Sequence, residues 1–219
     1  MCADLVTVTE PRSPSSEAYR SLRTNLEFAS LDRPLRTLLV ISAGPEQGKS
    51  IVLANLAVVM AQAGKRVILV DADLRRPQQH EIFGIDNTHG LTTVLYADST
   101  PEALPLAETV LTGLRVLTSG PLAPNPAELL ASRRLVDLIA ALTAQADLVL
   151  FDAPPIIAMT DAAILAGRVD GVLLVVNARE TRRDHAQRAK DLLERVNARL
   201  LGAVLNNVPF DVSLQRYYN

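Results

Sequence analysis

Ten residues decide the fold of this chain: Ile41-Ser42-Ala43-Gly44-Pro45-Glu46-Gln47-Gly48-Lys49-Ser50. The apolar residues 38–41 predict a buried strand that leads into this stretch, and the pattern of residues 50–63 predicts a helix after it. A turn that ends in Gly-Lys-Ser between a strand and a helix is typical of phosphate-binding loops, because backbone N–H groups and the helix N-terminus point at phosphate oxygens. The sequence therefore predicts a nucleotide site here, with a surface turn as the alternative.

The spacing of the loop matches G-x-x-x-x-G-K-[ST] except at its first position, where Ala43 replaces glycine. This replacement costs little if the backbone of Ala43 has a negative φ. Lys49 is expected to reach the outer phosphates, and the hydroxyl of Ser50 is expected to ligate magnesium. The predicted nucleotide-binding residues of the loop are Ala43, Gly44, Pro45, Glu46, Gln47, Gly48, Lys49, Ser50 and Ile51.

Two further predicted strands end in carboxylates. Residues 66–70 are followed by Asp71 and Asp73, and residues 148–151 are followed by Asp152. Ligands of open α/β sheets lie at the carboxyl ends of parallel strands, so these acids should converge on the phosphate loop. Magnesium prefers a few carboxylates together with phosphate oxygens and waters, although a single aspartate is more often a turn or cap residue. The predicted magnesium ligands are Ser50, Asp73 and Asp152.

Composition limits the class of protein. The 219 residues with alternating strand and helix patterns predict one α/β domain, residues 1–219, with a mostly parallel central sheet flanked by helices. The 22 basic and 24 acidic residues nearly balance, which argues against binding to nucleic acid through a high overall positive charge. Cys2 is the only cysteine, and the three histidines lack metal-ligand spacing. These features, with no long apolar segment and no signal-peptide core, predict a cytoplasmic protein.

The remaining elements follow from periodicity. A flexible entry is expected at residues 11–16, a helix at about 16–30, and a short flexible tail at about 209–219. Residues 74–130 have a mixed pattern, with a short helix at 90–95 and a short strand at 114–117. Further helices are predicted at about 134–145, 161–167 and 182–195, and further strands at 171–176 and 200–205.

With these residues in view, the chain resembles the bacterial tyrosine kinases of capsule and exopolysaccharide export over almost its whole length. The related cell-division and partitioning ATPases usually carry a second lysine at the position of Gly44, and its absence favours the kinases. The resemblance rests on four motifs: Glu17-Ala18-Tyr19-Arg20-Ser21-Leu22-Arg23, the Walker A loop Ser42 to Ser50, Val70-Asp71-Ala72-Asp73-Leu74-Arg75-Arg76-Pro77, and the Walker B motif Phe151-Asp152-Ala153-Pro154-Pro155.

This resemblance implies a P-loop NTPase fold and an ATP- and Mg²⁺-dependent protein-tyrosine kinase. Tyr217 and Tyr218 would be the phosphoacceptors, and Glu17, Arg20 and Arg23 would build a homo-oligomer, expected to be a ring. The resemblance also implies three kinds of partner. They are other proteins that the kinase would phosphorylate on tyrosine, a cognate phosphatase, and a transmembrane adaptor of the polysaccharide co-polymerase type. That adaptor would recruit the kinase to the inner face of the cell membrane, where it would regulate polysaccharide synthesis and export.

Several roles remain open at this level. Lys49, Asp71, Asp73 and Asp152 are the predicted catalytic residues, with Asp71 as the acceptor of the tyrosine proton; the roles of Asp71 and Asp73 are exchangeable. Asn206 is a candidate adenine contact or a turn residue. Arg75 and Arg76 are candidates for a contact with phosphate or with a neighbouring subunit, or form a solvated pair.

The chain also departs from the family. Only two tyrosines close the chain where the kinases have a cluster, Pro45-Glu46-Gln47 replaces the usual Pro-Gly-x, and Ile51 stands where threonine is common. Two alternative functions are therefore kept. One is a nucleotide-switched assembly ATPase without kinase activity, and the other is an idle scaffold that only binds nucleotide.

Overall fold

The computed structural model describes residues 5–97 and 103–208. A seven-stranded sheet forms the centre of the molecule, and all of its neighbouring strands are parallel except the pair at one edge. The predicted mostly parallel sheet is therefore confirmed. The strands are β1 (Thr37–Ser42), β2 (Val67–Asp71), β3 (Ala107–Glu108), β4 (Leu114–Leu117), β5 (Leu148–Asp152), β6 (Gly171–Asn177) and β7 (Leu200–Asn206), in the order β3-β4-β2-β5-β1-β6-β7.

Helices cover both faces of this sheet. Two apolar cores result, because successive residues of the central strands point to opposite faces. Leu38 and Val40 of β1 face one core, whereas Leu39 and Ile41 face the other. The helices are α1 (Val6–Thr9), α2 (Pro14–Ala29), α3 (Lys49–Gln62), α4 (Gln79–Phe83), α5 (Leu91–Tyr96), α6 (Pro126–Ala131), α7 (Arg133–Gln145), α8 (Asp161–Ala166) and α9 (Arg183–Arg195).

The strand order positions the site. Strand β5 lies between β1 and β2, so the carboxyl ends of these three strands are neighbours. Asp71 is the register partner of Asp152, and Asp152 is the register partner of Val40 on its other side. Since β1, β2 and β5 are buried on both faces, their ends are held rigidly at one edge of the sheet.

The N-terminal segment differs from the expected flexible entry. Pro14 already begins α2, where Ser13 caps the helix by accepting a hydrogen bond of 3.2 Å from the backbone N–H of Ser16. The buried hydroxyl of Ser16 donates to the carbonyl of Glu10 at 2.7 Å. The prediction of flexibility up to residue 16 is thus wrong, because local hydrogen bonds fold these turn-forming residues onto the helix start.

Most predicted elements lie within two residues of the observed bounds. Four short elements were not predicted, because each has six residues or fewer and is too short to show a clear period: α1, α4, α6 and β3. The predicted tail at 209–219 lies outside the described residues. Among the residues that the structure does describe, no helix is both long and apolar enough to cross a bilayer.

Candidate active site

The phosphate loop connects β1 to α3, and its backbone has two positions in the left-handed region. Gly48, which precedes the first residue of α3, has φ of 80°, a conformation that glycine adopts without a steric penalty. Glu46 has φ of 56°, which is unfavourable for a residue with a side chain. Ala43 does not have a positive φ, so the loss of the usual glycine there costs little.

Hydrogen bonds of two polar side chains fix the conformation of this loop. Asn206, the last residue of β7, donates its amide to the carbonyl of Gln47 at 3.1 Å. A Cβ atom on Gly48 would lie 2.4 Å from the Asn206 amide nitrogen, so a larger residue there would displace the Asn206 side chain in addition to straining the backbone. The Gln47 amide, oriented to satisfy its neighbours, donates to the carbonyl of Val175 at 3.1 Å. Gln47 and Asn206 therefore shape the loop, whatever each contributes to a nucleotide.

Lys49 is the centre of the site. Its ammonium nitrogen lies 3.0 Å from Asp73 Oδ2 and 3.2 Å from Asp152 Oδ1, and it donates to Ser50 Oγ at 3.1 Å. Ser50, Asp73 and Asp152 are all buried. Burial alone would lower the pKa of Lys49, but the attraction of Asp152 and Asp73 outweighs it and raises the pKa. The lysine is therefore fully charged at neutral pH.

Asp71 is fully buried and accepts hydrogen bonds from the turn that follows β2. Its Oδ2 accepts from the backbone N–H groups of Gln78 at 3.0 Å and of Gln79 at 2.9 Å, and its Oδ1 accepts from Asp73 N at 3.3 Å. Burial, followed by repulsion from Asp152, raises its pKa well above the usual range, although the Gln79 N–H opposes this. Asp71 thus holds the turn that follows β2.

One residue of the site was missed by sequence reasoning. Gln79 is fully buried, and its amide nitrogen donates to Asp152 Oδ2 at 2.7 Å and to the carbonyl of Ser50 at 3.2 Å. Its side-chain oxygen is also buried and has no hydrogen-bond partner among the described residues. No motif marked this residue, because the turn at residues 72–78 carries it to the site and its neighbours in sequence lack a clear pattern.

The donor set fits a magnesium ion. In the part of the chain that the structure describes, no three His, Cys, Asp or Glu side chains form a metal site by themselves. Magnesium usually binds few protein groups and takes its other ligands from phosphates and water. The Lys49 ammonium, a cation, lies within 3.2 Å of the three predicted ligands Ser50, Asp73 and Asp152, so these residues converge on one positive charge.

A cavity of about 220 Å³ opens beside this cluster. Its lining includes Pro45 of the phosphate loop and Asp73, together with the apolar residues Pro155 and Met159. Arg75 and Arg76 also belong to its lining.

The predicted oligomerisation residues lie on α2, apart from this cluster. Arg20 pairs with Glu17 at 2.8 Å, and Arg23 donates to the carbonyl of Val59 on α3 at 3.2 Å. Tyr19 packs against the core beneath α2, and burial raises its pKa to about 12. Tyr217 and Tyr218, the predicted phosphoacceptors, lie outside the described residues.

Comparison with known proteins now identifies the family. Residues 35–213 match the family model described as ParA, NUBPL iron-transfer P-loop NTPase. The chain is 47% identical over 206 residues to the tyrosine-protein kinase YwqD of Bacillus subtilis (strain 168), covering 94% of this chain and 86% of YwqD. The chain belongs to the bacterial tyrosine-protein kinases.

Solved structures agree with this assignment. The chimerical protein CapA2B2 matches with a TM-score of 0.87 and 39% identity, over 94% of this chain and 90% of that protein. The kinase domain of the Escherichia coli tyrosine kinase ETK matches with a TM-score of 0.87 and 31% identity, over 96% of this chain and 84% of that domain. The predicted P-loop NTPase fold is confirmed, and the kinase prediction is supported over the assembly-ATPase alternative.

Proposed function

We propose that this kinase transfers the γ-phosphoryl group of ATP to tyrosine hydroxyls, including those of its own Tyr217 and Tyr218. One observation carries the proposal: the Lys49 ammonium at the start of α3 lies between Asp73 and Asp152. A P-loop lysine, a magnesium-binding hydroxyl and two acids at strand ends are the parts that position and neutralise transferring phosphates.

In this proposal Lys49 leaves the two carboxylates and turns to the outer phosphates when nucleotide binds. The backbone N–H groups of Gly44 and of residues 46–50 would hold the same phosphates, since Pro45 has no N–H to donate. Ser50 and Asp152 would hold magnesium directly or through water, and such an ion would supply positive charge next to the phosphates. Gln79 supports this arrangement, since its amide fixes the second oxygen of Asp152. Asn206 keeps its hydrogen bond to the phosphate loop, and it is also a candidate for contact with the adenine of the nucleotide.

The two candidate proton acceptors, Asp71 and Asp73, differ in how easily a substrate can reach their carboxylates. Asp73 lines the cavity beside the loop, whereas Asp71 is completely buried and accepts from three backbone N–H groups. These contacts favour Asp73 as the base that receives the tyrosine proton, and Asp71 as the residue that shapes the turn. In the transfer, the bond from the γ-phosphorus to ADP breaks, a bond to the tyrosine oxygen forms, and the phenolic proton passes to Asp73.

The proposed setting is the cytoplasmic face of the membrane. A transmembrane adaptor recruits the kinase, a phosphatase reverses the modification, and Glu17, Arg20 and Arg23 on α2 contribute to a homo-oligomer in which one subunit modifies the tail of the next. The cycle regulates capsule or exopolysaccharide synthesis and export. The resemblance of the motifs supports these partners, and the exposed Glu17 and half-buried Arg20 on α2 are compatible with a contact surface.

A mixing experiment tests the transfer. Lys49→Met removes the cation that faces the phosphates, and the loss of one such contact typically costs about 10² to 10³ in rate. This inactive protein, with its tail intact, is mixed with an active Tyr217→Phe/Tyr218→Phe protein in ATP and magnesium. Mass spectrometry should detect phosphotyrosine on the Lys49→Met tail. An unmodified tail in the mixture, with modification in wild type alone, would restrict transfer to within one subunit.

A phosphate-release assay covers the remaining alternatives. Wild type that releases phosphate from ATP without forming phosphotyrosine would be a nucleotide-switched ATPase. Wild type that binds nucleotide and shows neither activity would be a scaffold. Asp152→Ala should reduce both activities if Asp152 helps to hold magnesium, and activity within a few-fold of wild type would contradict that role.

A further inference from the structure

Two arginines line the cavity beside the phosphate loop, and their environments differ. Arg75 forms a pair with Asp161 on α8, with Nε 2.5 Å from Oδ2 and Nη2 3.3 Å from Oδ1. Asp161 is fully buried, so it keeps this guanidinium in place and neutralises its charge. Arg75 therefore joins the turn after β2 to α8 and is not available to a ligand.

Arg76 is in the opposite situation. Its backbone N–H donates to Asp73 Oδ1 at 3.0 Å, which fixes its position next to the proposed base. Its side chain is exposed, and across residues 5–97 and 103–208 it forms no ion pair and no hydrogen bond. The Arg76 guanidinium, with five N–H donors, therefore has no partner among the described residues, and it lines the same cavity as Asp73.

We propose that Arg76 forms an anion subsite for the residue next to the acceptor tyrosine. The preferred substrate is then a tyrosine flanked by a carboxylate or by phosphotyrosine, with its ring against the apolar lining residues Pro155 and Met159. This inference rests on the proposed function, since it places the acceptor in this cavity. The planar fork of arginine suits both anions, and a phosphate gives it the larger charge.

The tail of the chain itself offers such a substrate. Tyr217 and Tyr218 are adjacent, and Arg216 precedes them. A phosphate on one tyrosine supplies the anion beside the other, whereas Arg216 places a cation next to Tyr217. The order that follows is modification of Tyr218 first, after which its phosphate promotes modification of Tyr217.

The test measures binding separately from transfer. Fluorescent peptides of residues 211–219 carry Tyr217 with either phosphotyrosine or phenylalanine at position 218. They are titrated into the full-length Tyr217→Phe/Tyr218→Phe protein with saturating ADP and magnesium, so that the phosphate loop is filled. The phosphopeptide should bind about fivefold more tightly, the upper end for an exposed charged contact, and the difference should shrink at high salt.

Arg76→Gln should abolish this preference and leave the affinity for the phenylalanine peptide unchanged. Arg188→Gln, which removes an exposed charge from α9, is the matched control and should keep the preference. Equal affinity of the original Arg76 protein for both peptides would overturn the subsite, as would a preference that survives Arg76→Gln. An Arg76→Gln protein that weakens only for ADP would instead assign this arginine to the nucleotide.

The two proposals fail in different ways. A protein that modifies the phenylalanine peptide but shows no phosphopeptide preference keeps the kinase proposal and refutes the subsite. A protein with the preference but no transfer keeps Arg76 as a site for the phosphorylated peptide and refutes the kinase proposal. The tail provides an independent check, because a time course of wild type by mass spectrometry should show Tyr218 modified before Tyr217, and the reverse order contradicts the subsite.

Discussion

Gln79 donates a hydrogen bond of 2.7 Å to Asp152, with its amide nitrogen also 3.2 Å from the carbonyl of Ser50. One side chain on α4 thus joins the carboxyl end of β5 to the first turn of α3. Because Lys49 occupies the other oxygen of Asp152, the carboxylate is fixed at both oxygens. The orientation of this acid therefore depends on a residue that no sequence motif contains.

If Asp152 holds magnesium as proposed, we expect Gln79→Met to reduce phosphotransfer about tenfold to a hundredfold, the usual cost of losing a residue that orients a metal ligand. Methionine fills similar space, so the melting temperature should change little. The magnesium concentration for half-maximal activity should rise, while ADP binding without magnesium stays unchanged. Gln78→Met, at the exposed neighbouring side chain, is the control and should behave as wild type. If Gln79→Met has the same magnesium requirement as wild type, the Gln79 amide only fills space and does not orient Asp152 for magnesium.

The fold was predictable from sequence because its central strands are continuous apolar runs and its ligand-binding turns carry glycine, lysine and aspartate. The convergence of Asp73 and Asp152 on Lys49 follows from the rule that parallel strands present their carboxyl ends at one edge. Gln79 and Asp161 were not predictable as partners of the site. Each contacts a residue more than seventy positions away, and such a pairing depends on turn geometry rather than on local pattern.

Glu46 offers a test of the loop conformation. At φ of 56° a side chain destabilises the backbone, whereas glycine does not. Glu46→Gly and Glu46→Ala both remove the carboxylate, so they differ mainly in the cost of this backbone conformation and in the entropy of the unfolded chain. We expect Glu46→Gly to be more stable than Glu46→Ala by about 1 kcal/mol in urea denaturation, after the larger entropy of unfolded glycine is included. Equal stabilities would mean that residue 46 does not hold a left-handed backbone in solution.

Asp147 gives a prediction for the effect of pH. Hydrogen bonds from the side chain and backbone N–H of Arg66 lower its pKa to about 2, from a usual 3.8. Since the folded pKa is the lower one, the pair stabilises the fold above the unfolded pKa, and this contribution disappears as the pH falls toward 2. Asp147→Asn should therefore lower the free energy of unfolding at pH 7 more than at pH 3.

This effect should be modest and weaker at high salt, because both side chains are largely exposed. Urea denaturation of wild type and Asp147→Asn at both pH values measures the difference. The pair would not be formed in solution if the variant were equally destabilised at pH 3 and pH 7.

Assembly through α2 requires a more selective variant than the removal of both arginines. Arg23 contacts the carbonyl of Val59, so its loss would loosen α2 from α3 within one subunit. Arg20 contacts Glu17 on its own helix and donates to the carbonyl of Pro11 in the turn before α2, and neither partner belongs to the apolar core. Arg20→Ala is therefore the informative change, with Arg188→Ala on α9 as the control for lost charge.

We expect unphosphorylated wild type and Arg188→Ala to form oligomers in ATP and magnesium, and Arg20→Ala to have a smaller mass by light scattering. One exposed charged contact contributes only about 0 to 1 kcal/mol, but a closed ring repeats it at every interface. Phosphorylation of both tail tyrosines adds about 3 to 4 negative charges per subunit, which should dissociate the assembly by repulsion or by competition for Arg20. The comparison is made at matched phosphorylation and unchanged melting temperature. If Arg20→Ala and wild type then have the same mass, the Glu17–Arg20 pair is exposed to solvent and takes no part in assembly.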